Sequence, residues 1–173
     1  DIHDIIEVPK EGCLKDQRKI KITLPIDEVK DRIWSIGGSK GWYSMNWAWS
    51  LRGLIDKIMG GTGMNRGRRH PYELSAGDSI DFWRVLLANE TRTHLILFAE
   101  MKLPGEAWLE FEINESKMEL IQTATFRPKG VFGRFYWYCL IPFHLIIFHN
   151  MAKSLAQKKI KQIYPGLVLS IMF

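Results

Sequence analysis

The run Phe135–Phe148 (FYWYCLIPFHLIIF) constrains this chain more than any other segment. Its 14 residues hold no Asp, Glu, Lys or Arg, yet they fall short of the ~20 that a bilayer-spanning helix needs. A helix that is apolar on every side is normally buried on every side, so the run predicts a central helix gripped by other elements. Pro142 lacks a backbone donor and predicts a kink near the middle. A more polar helical continuation is expected over His149–Lys161. The apolar tail beyond Tyr164-Pro165-Gly166 has no assigned place.

The rest of the chain has the means to enclose such a helix. It has 173 residues, 46% hydrophobic and 25% charged, which fits one domain with a sizeable core. This balance excludes a disordered chain, a collagen-like chain and a polytopic membrane protein. Seven Trp among 12% aromatics call for a thick core, a cavity wall or an interface. The net charge of +5 shows no dense basic stripe, so no nucleic-acid partner is expected. Cys13 and Cys139 make no disulfide framework, and Asp1-Ile2-His3-Asp4 has no signal-peptide character, so a reducing cytoplasm is expected.

Periodicity assigns the elements. Over 14–24, Ile20, Ile22 and Leu24 alternate with Lys19, Lys21 and Thr23, as in a half-buried strand. Pro25 then opens a helix with Asp27 and Glu28 in its first turn, a stripe of Ile26, Val29, Ile33 and Ile36, and a stop at Gly37-Gly38. A second helix is expected over 44–59, with Ser44 as its cap and Trp47, Leu51, Leu54, Ile55 and Ile58 on one face. Four β-rich segments follow, Ser79–Leu87, His94–Leu103, Ala107–Ile113 and Met118–Phe126, separated by turn signals such as Pro104-Gly105. Antiparallel strands with segregated helices define an α+β fold. The arrangement expected is a helix-grip: a curved sheet around the long C-terminal helix, with a hollow between them.

Five blocks carry a resemblance: GWYSMNWAWSLRGLIDKIMGG (41–61), ELSAGDSIDFWRV (73–85), AEMKLPGEAWLEFEI (99–113), QTATFRPKG (122–130) and FGRFYWYCLIPFH (132–144). Together they resemble domain-of-unknown-function family 2867 over about residues 14–155. The resemblance implies a START-like fold, also called SRPBCC or polyketide-cyclase-like, with a small-molecule cavity. It also implies a frequent neighbour, a nucleotide-binding domain of the NmrA-like or short-chain dehydrogenase kind. It brings no catalytic residues. A single START-like domain over 1–173 is expected, with 156–173 as a tail.

Candidate chemistry is sparse. Gly61-Thr62-Gly63-Met64-Asn65-Arg66-Gly67 has a misplaced third glycine and follows a helix, so no dinucleotide site and no cofactor are expected. Arg66, Arg68 and Arg69 could clamp a phosphate, but a solvated basic loop is the plainer reading. His70, His94, His144 and His149 lack ligand spacing, so no metal is expected. Cys139 reads as an inert buried thiol. Glu100 and Glu110 flank Pro104-Gly105 and would fall opposite one another in a tight hairpin, as candidate catalytic acid and base. Expected ligand-lining residues are Trp42, Tyr43, Trp47, Arg84, Glu100, Trp108, Glu110, Gln122 and Tyr136.

The leading functional expectation is a module that holds an apolar or aromatic small molecule with one polar end. The second is a cofactor-free enzyme of the lyase or cyclase type, by fold analogy only. The third is an accessory domain for a Rossmann-type oxidoreductase, in cis or in trans. A homodimer fits the apolar C-terminal segment. A membrane-surface role for Phe135–Phe148 with Lys153–Lys161 is the weakest variant, and a spanning role is not expected.

Overall fold

A computed structural model describes residues 8–43, 57, 60 and 68–158. The predicted helix over 44–59, its Trp47, and the glycine loop 61–67 therefore lie almost wholly outside the described residues.

Chain order is β1 (Leu14–Lys21), α1 (Ile26–Trp34), β2 (Ser79–Ile80), β3 (Trp83–Ala88), β4 (His94–Ala99), β5 (Gly105–Asn114), β6 (Glu119–Pro128) and α2 (Gly130–Ala156). The strands form one antiparallel sheet in the order β1-β6-β5-β4-β3-β2. Strands β3 to β6 make the predicted meander, and β1 returns to pair along all of its length with β6. The fold is α+β, a curved open sheet with a long C-terminal helix, as the periodicity implies.

Strand alternation sorts side chains onto two faces. Trp83, Val85, Leu95, Leu97, Leu109, Phe111, Ile113, Leu120 and Ala124 share one face and form the main core with α1 and the C-terminal half of α2. Leu87, Ile96 and Trp108 form a smaller cluster on the other face, with Val8 and Phe98 against it. A bulge between Val85 and Leu87 moves Leu87 to that second face. Of the predicted stripe, Val29, Ile33 and Ile36 are buried and Ile26 is half-buried, and Trp34 is buried beside them.

The segment Ser79–Leu87, predicted as one strand, is a tight hairpin instead. Ile80 pairs with Trp83, and Asp81 between them has φ +52°. The cause is a distant partner: the Trp42 indole donates to the Asp81 carboxylate at 2.8 Å inside the core. No local periodicity carries that information.

Helix α2 departs most from expectation. It begins five residues before the apolar run and ends at Ala156, short of Lys161. It continues through Pro142, which lies with Tyr138 on the exposed side, where solvent reaches the carbonyl that the proline frees. It is not wrapped all round. One stripe, Gly133, Trp137, Phe148, Met151, Ala152, Leu155 and Ala156, is buried. The opposite stripe, including Phe132, Phe135, Tyr138 and Cys139, is exposed, so Cys139 is not a buried thiol. An open six-stranded sheet covers one side of a helix only. At Gly133 a side chain would collide with the Pro104 carbonyl, which fixes α2 directly against the β4–β5 turn. The Lys129 N–H donates to the same carbonyl at 2.8 Å.

Candidate functional site

The face of the sheet under α2 is mainly apolar but not wholly so. Along β6 the residues that point to it are Leu120, Gln122, Ala124 and Phe126, and along β1 they are Leu14, Asp16, Arg18 and Ile20. Gln122 lies between Leu120 and Ala124 on its own strand, with Phe111 across on β5 and Arg18 across on β1. It is 1% exposed. Neither its Nε2 nor its Oε1 has a hydrogen-bond partner. Arg18 could have supplied one, but its guanidinium is held bidentately by Asp16, at 2.8 and 3.0 Å.

Helix α2 adds His144 to this side. Its ring meets Trp137 edge-on at 5.1 Å and Phe148 at 4.9 Å, and its Nδ1 is buried without a partner. Burial in this aromatic setting pushes its pKa down to about 4, with Asp16 pulling weakly the other way. His144 is therefore a neutral ring at pH 7. Phe126 stacks on Trp137 at 5.6 Å and tilts against Tyr136 at 6.0 Å, so the upper half of the helix meets β6 through rings. Trp83 Nε1 is a further unpartnered buried donor, but β3 lies three strands from β6, so it is a separate point.

The residues expected to line a ligand divide between the faces. Gln122 is on the face under α2. Tyr136 is half-buried on α2 itself. Trp42 is in the core, stacked on Phe82 and bonded to Asp81. Tyr43 is half-buried, with its hydroxyl 3.2 Å from that of Ser35. Arg84, Glu100, Trp108 and Glu110 are on the opposite face of the sheet, away from α2. There Arg84 binds Glu100 at 2.9 Å, and His94 Nε2 lies 2.7 Å from Glu110. The expected pairing of Glu100 with Glu110 is also corrected. The register places Ile96 opposite Glu110 and Phe98 opposite Trp108, because the chain between β4 and β5 is a five-residue connection (100–104) rather than a tight turn.

Of the three arginines, Arg66 lies outside the described residues, Arg69 is exposed, and Arg68 serves the fold. Arg68 donates to the backbone carbonyls of Ile36, Trp34 (2.6 Å) and Glu73 (3.3 Å), which holds the chain after α1. Neither a phosphate clamp nor a freely solvated side chain describes it. A separate open cleft of about 740 Å³ lies beside α1. Two of its charged contacts are internal: Arg92 pairs with Asp31 at 2.8 Å and Lys40 sits over the Tyr72 ring at 4.7 Å. Among the described residues no cluster of His, Cys, Asp or Glu could hold a metal ion.

The molecule thus defines a class, an α+β sheet-and-helix domain with unpartnered polar groups on its helix-covered face. The chain belongs to the family of proteins of unknown function DUF2867, which it matches over residues 10–151. No curated protein sequence matches it significantly. Its fold is similar to the crystal structure of DynU16, a protein from the dynemicin biosynthetic locus, with 13% identity, 84% of this chain covered and a TM-score of 0.46. This chain spans only 48% of DynU16. It is also similar to a structural-genomics protein from Nitrosospira multiformis, with 10% identity, 83% of this chain and 94% of that chain covered, and a TM-score of 0.43.

Proposed function

We propose that this protein binds a small, mainly apolar molecule between the sheet and α2, in the manner of START-like domains, with Gln122 as the polar anchor. The observation that carries this reading is the Gln122 amide, buried to 1% with neither polar atom bonded. A buried donor or acceptor left unsatisfied costs about 1–3 kcal/mol, so such a group is uncommon unless a bound molecule completes it. An amide offers one acceptor and two donors in a plane. Its complement is a group with an adjacent donor and acceptor, such as a protonated carboxylic acid, a lactam or a primary amide. Burial of the ligand's apolar body among Phe111, Leu120, Phe126 and α2 would supply most of the affinity, at about 25 cal/mol per Å².

The cofactor-free enzyme reading gains no specific support. Glu100 and Glu110 engage Arg84 and His94 on the face away from α2.

The test is a thermal-shift and native mass-spectrometry screen of fatty acids, aromatic carboxylic acids and lactams against the wild type and Gln122→Leu. At least one compound is expected to raise the wild-type Tm by several degrees, as linkage requires, and to shift the variant much less. No binder in any class, or equal shifts in both proteins, overturns the proposal.

A further inference from the structure

We propose that the exposed face of α2 docks on an anionic lipid surface, lying along it rather than crossing it. The helix is 27 residues long, and its most apolar 18-residue stretch has a mean hydropathy of 1.4, yet only 17% of that stretch is buried. Phe132, Phe135, Tyr138, Phe143, Leu145 and Ile146 are each about half exposed or more. They follow helical spacing down one side, opposite the stripe that grips the sheet. With aromatic residues on the order of 200 Å² each, this face presents about 700–800 Å², beyond the largest apolar patch of a typical monomer.

Charge identifies the partner. From residue 120 to 173 the sequence has no Asp or Glu, but has Arg127, Lys129, Arg134, Lys153, Lys158, Lys159 and Lys161. Lys129 and Arg134 lie at one end of α2 and Lys153 and Lys158 at the other, all four exposed. An apolar helix face bracketed by cations matches an anionic bilayer interface. A second copy of this chain fits less well, since a two-fold contact across α2 would bring the same cations together with no acidic residue on the helix to offset them. The buried stripe keeps the helix on the sheet at both ends, at Gly133 and Trp137 and at Leu155 and Ala156, and this excludes a spanning arrangement of the folded domain.

The test is co-sedimentation with vesicles of phosphatidylcholine alone and of phosphatidylcholine with one-quarter phosphatidylglycerol. Binding to the anionic vesicles is expected to be at least tenfold stronger, to weaken with added salt, and to be lost in F135S/F143S/I146S. An independent readout keeps the helix face intact: an environment-sensitive fluorophore on Cys139, which is exposed on this face, in a Cys13→Ser background. Its emission should move to the blue on anionic vesicles only. Absence of binding together with an unmoved fluorophore overturns the proposal, as does equal binding to both vesicle types. A dimer in gel filtration that the triple variant returns to monomer also overturns it, in favour of a second copy.

Discussion

Replacing Gln122 with leucine should make the ligand-free protein more stable. Leucine has nearly the volume of glutamine, so the substitution neither opens a cavity nor overpacks β6 against α2. It removes a donor and an acceptor that are buried with no partner. Leaving such a group unsatisfied costs about 1–3 kcal/mol, and the gain from its removal should be of that size. In a domain of this length each kcal/mol moves the Tm by about 2–4 °C, so a rise of roughly 2–12 °C is expected. Urea denaturation should show a higher midpoint with an unchanged slope, the mark of a stability change without a change in compactness. Gln122→Glu provides the converse. A carboxylate at the same position has no cation to meet, since Arg18 is engaged by Asp16, so it should destabilise at pH 7 and recover as acid protonates it. If Gln122→Leu instead loses more than about 1 kcal/mol, the amide is satisfied in solution, and the argument for a ligand anchor fails with it.

Three further outcomes can be checked. The neutral His144, with a pKa of about 4 in place of the ordinary 6.5, contributes stability that is complete above pH 6.5 and declines as the pH falls toward 4, by about 3 kcal/mol at most. Melting curves at pH 7.5, 5.5 and 4.5 should therefore diverge less in His144→Phe than in the wild type, and equal divergence refutes the assignment. Trp42→Phe removes the 2.8 Å bond to the buried Asp81 carboxylate and should cost about 2–3 kcal/mol by chemical denaturation, whereas no loss would mean that the β2–β3 turn does not depend on it. Glu110→Gln weakens a pair whose members are 26% and 32% exposed, so it should cost less than about 1 kcal/mol and leave ligand affinity unchanged, a tenfold affinity loss being the contrary result.

The fold class was open to reading because it rests on short-range pattern. Alternation in Leu95, Leu97 and Ala99, or in Leu109, Phe111 and Ile113, marks a strand and its core face without reference to any partner. Pro25 with Asp27 and Glu28 marks the start of α1 as plainly. The candidate site was legible in one residue. Gln122 stands at an inward register position, flanked by Leu120 and Ala124, and a polar side chain there is a departure from pattern that a sequence displays. Asp16 and Arg18 occupy the same face of β1, but no local pattern singled them out, because nothing near them in sequence shows that β1 lies beside β6 beneath a helix.

What the chain determined by itself is therefore the identity of its elements and the two sides of each strand, since propensity and period act over a few residues. Tertiary structure alone settled that β1 adjoins β6, that Glu100 and Glu110 face away from α2, and that the sheet covers only one side of the apolar helix. Those outcomes depend on register and on closure between segments up to about a hundred residues apart, and no window of sequence contains the contacts that fix them.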